Sequence, residues 1–440
     1  MNKAVSASGG REAFKDLVVY QIYTRSFADS NGDGIGDFVG VIGKLDYLAW
    51  LGIDVIWLSP FCASPNKDNG YDVSDYRNVM AEFGTLDDLD RLIAEAHDRN
   101  ILVMMDLVMN HSSVEHPWFR SRPEYYYWTD KPNNWDSYFH DSAWTWDEER
   151  GQYYLHLFYP EQPDLNWENP ELRREMHDIA RFWLQRGIDA FRLDAIHHIG
   201  KPDGLPDAPE PRAPDRFRNF KNTSRTHRYL QDFNREVIAG SGAFTVGETG
   251  GTTPRTSRLY VDRFRRELDM IFLFDHLWKM QDDLRNIGKI LWPVYRQLSV
   301  DGWNSRFFGN HDFARPLSIL GSKTYVTESA SAMAVFLLTL WGTPFIYQGE
   351  EIGMTNANFD SLDDYDCAAA KRHYHHAVAE GHDPDLAFAE FQRRTRDNAR
   401  TPMQWDDGPN AGFSSGEPWM KVNANYPTVG PPEKTLTLYI

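Results

Sequence analysis

Short apolar runs alternate along this chain with longer stretches whose apolar residues recur every three or four positions. The runs at 17–23, 53–58, 101–108, 188–194, 243–248, 269–274, 304–310 and 343–348 read as strands. Helical periods fill most of the gaps. Thr85 predicts an N-cap for a helix over 86–99, and Asn169-Pro170 introduces one over 171–186 that Gly187 stops. Strands alternating with helices predict βα units around a parallel sheet, and eight of them suit a closed α/β barrel. Residues 109–167 break the rhythm. Rich in Trp, Tyr, His and Pro and without a helical period, they read as a small inserted domain after the third strand, leaving 1–108 and 168–350 for the barrel. A second excursion, 351–440, follows the eighth strand and ends in polar, loop-like sequence.

Composition narrows the partners. The 440 residues carry 46 Lys and Arg against 64 Asp and Glu, a net charge of −18, which disfavours nucleic acid and anionic membrane and suits a neutral substrate. Two cysteines, Cys62 and Cys367, suggest neither a disulfide framework nor a cysteine metal site. Met1 to Arg11 lack the apolar run of a secretory signal, and no apolar stretch is long enough to span a bilayer. The expectation is a soluble, cytoplasmic monomer. Aromatics make up 14% of the chain, and Trp and Tyr among polar residues suit the stacking of sugar faces.

The candidate chemistry sits at strand ends. Phe191-Arg192-Leu193-Asp194-Ala195 and Phe244-Thr245-Val246-Gly247-Glu248 are apolar runs ending in an acid, and Asp312 follows Phe307-Phe308-Gly309-Asn310-His311. A strand that ends on an acid places it at the mouth of a parallel barrel. Two such acids facing one bond meet the requirement for glycoside cleavage. Arg192, two residues before Asp194, shares its face of the strand.

Four separated segments resemble the α-amylase superfamily, and within it the oligo-1,6-glucosidase and α-glucosidase branch: Asp106-Leu107-Val108-Met109-Asn110-His111, Phe191 to Ala195, Val246-Gly247-Glu248 and Asn310-His311-Asp312. A fifth, Gln162-Pro163-Asp164-Leu165-Asn166, resembles that branch's inserted-domain signature. The likeness implies a (β/α)8 TIM barrel acting as a retaining, exo-acting α-glucosidase on maltose- or isomaltose-type oligosaccharides. The alternative it implies is a transglucosylase or sucrose-active enzyme, and a non-catalytic partner protein fits less well. It implies Asp194 as nucleophile, Glu248 as general acid/base and Asp312 as stabiliser of the distorted sugar. Arg192, His111 and His311 would line the first subsite, Asp68 and Tyr71 would grip the terminal glucosyl unit, and Arg400 would pair with Asp68 to close the pocket. Ala195 after the nucleophile is a cue toward α-1,4 linkages. Phe313 and Ala314, where relatives carry a polar residue and Pro, imply a changed acceptor side.

The segment Asp29 to Asp37 offers oxygens at alternate positions, Asp29, Asn31, Asp33, the Ile35 carbonyl and Asp37, as a calcium loop does. Gly40 stands where an EF-hand needs Glu. The resembled branch implies one structural Ca²⁺, with Mg²⁺ as a substitute. Relatives continue past the segment like Asn423-Ala424-Asn425-Tyr426 with the last barrel helix and a β-sandwich domain. The expectation here is therefore a truncated end, with apolar surface bared on the first and eighth strands.

Overall fold

The computed structural model describes residues 12–139, 142–208, 220–274 and 287–429. The segments expected to lack a signal, Met1 to Arg11, and to close the chain, Gly430 to Ile440, lie outside the described residues. Eight strands form the barrel sheet: β1 Val19–Ile22, β2 Val55–Leu58, β3 Leu102–Val108, β4 Ala190–Asp194, β5 Phe244–Thr249, β6 Met270–Leu273, β7 Ser305–Arg306 and β8 Thr343–Tyr347. They pair in parallel from β6 back through β5, β4, β3, β2 and β1 to β8 and β7. The Ser305 hydroxyl donates to the Ile271 carbonyl at 2.7 Å and bridges the seam between β6 and β7. Seven strands fall inside their expected bounds, and β5 runs one residue past its own, to Thr249. The seventh is much shorter because Phe307 and Phe308 leave the ladder to pack on Phe272 and Phe336.

The barrel interior is filled from alternate strands, as such cores require. Trp57 of β2 stacks on Phe272 of β6 at 5.4 Å, and Phe345 of β8 meets Phe272 at 4.8 Å. Arg192 of β4 lies above this aromatic layer, its guanidinium 5.4 Å from the Trp57 ring. The packed aromatics leave no channel, so the chemistry stays at the open mouth.

Around the sheet, helix α1 (Leu86–Asp98) begins in a capping box. Thr85 Oγ1 accepts from Asp88 N, and Asp88 Oδ2 accepts from Thr85 N. Helix α2 (Pro170–Gln185) starts with Asn169 Oδ1 accepting from Glu171 N. Gly187 ends it with φ +105°, where a Cβ would stand 2.9 Å from Ile93. Helix α3 (Val326–Thr339) precedes β8. Between β3 and α2, strands at Trp128–Thr129, Trp144–Asp147 and Gln152–Leu155 form a small antiparallel sheet beside the short helix Pro117–Ser121.

The excursion after β8 holds α4 (Ala368–Ala379), α5 (Pro384–Arg394) and the single turn α6 (Asp397–Arg400). One expectation changes: β1 and β8 are not bared, and their described side chains are buried. Trp405, from the excursion, packs on Phe27 at 5.0 Å and on Tyr47 at 5.3 Å. Large apolar side chains are exposed elsewhere, most of all Leu386, Phe264, Val300, Trp292 and Tyr325. Among the described residues no helix is long and apolar enough to cross a membrane, and both cysteines are buried free thiols.

A buried ion pair ties the segment between β3 and α2 to the barrel. Lys201 Nζ lies 2.6 Å from Asp164 Oδ2, both side chains fully buried. The same ammonium donates to Asn110 Oδ1 at 3.0 Å and to the His198 carbonyl at 2.6 Å. Removing one partner strands the other charge in the interior. Lys201→Met should cost about 3–5 kcal/mol of unfolding free energy in urea titration, and adding Asp164→Leu should recover much of it. Equal stability of Lys201→Met and wild type would show that the pair is not holding the two parts together.

Candidate active site

The site begins with the register of two neighbouring strands. Asp106 on β3 stands opposite Arg192 on β4, and Arg192 Nη1 donates to Asp106 Oδ1 at 2.9 Å. Two residues on, Asp194 shares that face, and the same Nη1 reaches its Oδ1 at 2.5 Å. From β5, Glu248 takes the other arm of the fork, Arg192 Nη2 donating to Oε2. One fully buried guanidinium thus holds three carboxyl groups from three adjacent strands. Asp194 and Glu248 therefore sit side by side on the two arms of that guanidinium.

Burial and charge set the protonation states. Removal from water pushes Glu248 well above the usual carboxylate range; Arg192 opposes the rise, and Asp194 and Asp312 add to it. Burial likewise raises Asp106 despite Arg192 beside it. For Asp312 burial also pushes upward, but His311, Arg396, Arg400 and Arg192 outweigh it and hold the carboxyl well below its usual range.

His311 is fixed on both sides of its ring. Burial lowers its imidazole to about 3, so it is neutral near pH 7 and donates from one nitrogen only. Gln21 Nε2 donates to Nδ1 at 2.8 Å, which leaves the proton on Nε2. That nitrogen lies 2.6 Å from the Tyr71 hydroxyl and 3.2 Å from Asp312 Oδ2. Tyr71 is then free to donate to Asp106 Oδ2 at 3.1 Å. Its ring stacks on His311 with centroids 5.5 Å apart.

The far wall comes from two loops and the excursion. Asp68 Oδ1 accepts from Arg396 Nη2 at 3.0 Å, and its Oδ2 accepts from Gln162 Nε2 at 3.1 Å. Gln162 also contacts His111 Nε2 at 3.2 Å, and His111 packs on Phe158. The expected pairing of Asp68 with Arg400 is therefore corrected to Arg396. Arg400 is anchored elsewhere: its Nε donates to the His311 carbonyl at 2.9 Å and its Nη2 to Asp312 Oδ1 at 3.1 Å. The two arginines sit four residues apart, the spacing that places residues on one face of a turn, and only Arg396 reaches Asp68.

All three candidate catalytic acids line one cavity of about 760 Å³, with Asp68, Tyr71, His111 and Arg396. Ala195 also lines it, in a left-handed conformation (φ 45°) that turns the chain sharply after Asp194. Phe313 is absent from that lining and packs on Phe274 at 5.3 Å. Sequence reasoning assigned no role to Gln21, Asp106, Gln162, Lys201 or Arg396. Asp106 and Gln162 stand in two of the family-like segments, and Arg396 is hinted at by its four-residue spacing from Arg400. Gln21 and Lys201 carry no local signal.

The loop Asp29 to Asp37 has the donor types of a calcium site, but its carboxylates face its own backbone. Asp29 accepts from the amides of Asn31, Gly32 and Gly34 and from the Ser414 hydroxyl. Asp37 accepts from Ser30 and from Gly40 N. Asn31 and Asp33 accept from the amides two residues on, and the Ile35 carbonyl completes the set of candidate donors. Among the described residues no three His, Cys, Asp or Glu side chains gather as a metal cluster.

A closed α/β barrel with carboxylates at its mouth is the architecture of a glycoside-cleaving enzyme. The chain belongs to the α-amylase family: its catalytic domain matches residues 21–435. An oligo-1,6-glucosidase of Parageobacillus thermoglucosidasius is 49% identical over 94% of this chain and 78% of its own length. A glucan 1,6-α-glucosidase of Streptococcus pneumoniae serotype 4 is 46% identical over 93% of the chain and 79% of its own length. Among solved structures, the isomaltulose synthase from Protaminobacter rubrum superposes with a TM-score of 0.93 at 40% identity, covering 97% of this chain and 82% of that one.

The neutral His311 tautomer is testable. Gln21→Glu places an acceptor against Nδ1, forcing the opposite tautomer or an imidazolium. Reversing one buried hydrogen bond should lower kcat/KM about tenfold or more. ¹⁵N spectra of the histidines should show a neutral Nε2–H ring in wild type and its loss in the variant. An Nδ1–H ring in the wild type would contradict the assignment.

Proposed function

We propose that this enzyme is a retaining, exo-acting α-glucosidase that removes terminal α-glucosyl units from maltose- or isomaltose-type oligosaccharides. One observation carries the proposal: the two arms of a single guanidinium bind Asp194 and Glu248, which sets both carboxyl groups side by side. An inverting enzyme needs carboxyl groups about 6.5–9.5 Å apart to admit water between acid and base, whereas a retaining one holds them at about 5–5.5 Å. Binding to the two arms of one guanidinium supports the retaining arrangement.

The reaction then runs in two displacements. Asp194 attacks the anomeric carbon while Glu248 gives its proton to the glycosidic oxygen, so the C–O bond breaks as the glycosyl ester forms. Glu248, now a carboxylate, takes a proton from water, and the hydroxide formed displaces Asp194 and returns α-glucose. Glu248 enters this cycle protonated because its environment is dry and shared with Asp194 and Asp312. Asp312 and His111 bind hydroxyls of the distorted ring, while His311, expected beside them, is held behind the wall by Gln21 and positions Tyr71 and Asp312. Asp68 and Tyr71, with Arg396 behind Asp68, hold the non-reducing end, and Arg400 keeps Asp312 in place. The names of the relatives support α-1,6 cleavage, while Ala195 is a cue toward α-1,4, so both linkages belong in the test. The likeness to isomaltulose synthases supports transfer to a sugar acceptor as the second reading.

Proton NMR with maltose and isomaltose in parallel, Asp194→Ala as control, decides the reaction. The expected result is α-glucose as the first product of at least one sugar and no product with the variant. β-Glucose first would contradict retention, and rearranged disaccharides in place of glucose would favour the second reading. Because the acid form of Glu248 is required and its carboxyl titrates high, kcat/KM should hold through neutral pH and fall as pH rises through that ionisation. A basic limb already complete below pH 6 would argue against Glu248 as the acid.

A structural Ca²⁺, with Mg²⁺ as a substitute, is proposed for Asp29, Asn31, Asp33, the Ile35 carbonyl and Asp37. It would take over the carboxylates now turned on the loop's amides and fasten that loop to the neighbouring segment: Gly34 packs so closely on Glu417 that a Cβ there would collide with its carbonyl oxygen. Chelation should lower the melting temperature of metal-loaded enzyme by several degrees, following mass action; an unmoved transition removes the ion from the account.

A further inference from the structure

The cavity does not stop at the terminal sugar. From the three carboxylates it continues outward between α4 and α5, which supply much of its outer lining. Its volume of about 760 Å³ lies high in the range of about 300–1,000 Å³ typical of small-molecule sites. One sugar ring fills only part of it. Asp68 and Arg396 close the inner end, so the leaving portion of a substrate bound by its non-reducing end extends toward the hairpin.

The chemistry of that outer wall is specific. Its formal charges are engaged locally: Asp383 caps α5 through the amides of Asp385 and Leu386, and Glu390 pairs with Arg394 one turn on. His373, Tyr374 and His382 line the cavity, and among the described residues their side-chain polar atoms make no hydrogen bond or ion pair. T-shaped contacts with Phe388 and Phe391 hold the Tyr374 ring. An imidazole and a phenol donate and accept at once, and a tyrosine ring offers a face for stacking. A charged ligand would find no uncommitted opposite charge among these three, whereas a neutral polyhydroxylated one finds donors, acceptors and a ring.

We propose that His373, Tyr374 and His382 form an outer sugar subsite that binds the second and third units of the leaving group, making oligosaccharides of three or more glucose units better substrates than disaccharides. This rests on the glucosidase reading of the inner site. The subsite acts on the specificity constant, because binding a remote part of the substrate contributes to the transition state of the step that releases it.

The test compares kcat/KM for p-nitrophenyl α-glucoside with those for disaccharides, trisaccharides and tetrasaccharides of the isomaltose and maltose series. In wild type the constant should rise from disaccharide to trisaccharide. In Tyr374→Ala, and in His373→Ala with His382→Ala, the ratio of trisaccharide to aryl glucoside should fall about threefold to tenfold. His376→Ala, on the same helix but outside the cavity lining, should leave that ratio at the wild-type value. A ratio that is the same in wild type and the lining variants overturns the outer subsite while leaving the glucosidase intact. No turnover of the aryl glucoside or any oligosaccharide by folded wild type overturns the parent reading and this one with it. Aryl-glucoside hydrolysis by each variant confirms that it has folded.

Discussion

A single buried cation organises this molecule. Arg192 is fully enclosed, and a charge in that setting is tolerable only if its hydrogen-bond capacity is met. Asp106, Asp194 and Glu248 meet it from three neighbouring strands. The register of β3, β4 and β5 and the placement of the reacting groups are therefore one constraint. The same arrangement supplies the acid. Three carboxyl groups around one guanidinium leave excess negative charge if all ionise, so a proton is retained, and Glu248 is driven upward by burial and by its acidic neighbours. Asp312 stands in the opposite situation, with Arg396 and Arg400 against it and a neutral His311 beside it. Divergent proton affinities within one pocket follow from where the three arginines sit.

The walls of that pocket come from outside the barrel. Gln162, in the segment between β3 and α2, reaches both Asp68 and His111, while the excursion after β8 brings Arg396 and Arg400. The inner site is thus assembled from a rigid sheet and two appended segments, one of them tied to the barrel by the Lys201–Asp164 pair. Hydrolysis and transfer differ in what meets the glycosyl ester, water or a sugar hydroxyl. The excursion forms the outer side of the same cavity, so its residues have the position to influence that outcome.

The barrel was legible because its strands are short apolar runs bounded by turn residues, and because strand-end acids mark the mouth. Asp194, Glu248 and Asp312 were visible for that reason, and Arg192 through the two-residue period of a strand. What escaped was pairing across long separations. Asp68 and Arg396 are 328 residues apart, and nothing local distinguishes Arg396 from Arg400 as the partner. Gln21 looks like any polar residue in a strand, although its amide fixes the His311 tautomer. Helix α4 drew no prediction because its alanines and histidines carry little hydrophobic periodicity. The length of β7 was overestimated since Phe307 and Phe308 look like strand residues and serve as packing.

The most direct test of the account is to trap the glycosyl-enzyme with 5-fluoro-α-glucosyl fluoride, which slows departure from the covalent intermediate, and to map the adduct by peptide mass spectrometry. The account predicts one fluoroglucosyl group per chain, on the peptide that contains Asp194, with Asp194→Ala unlabelled. Label on Glu248, Asp312 or any other residue would contradict it.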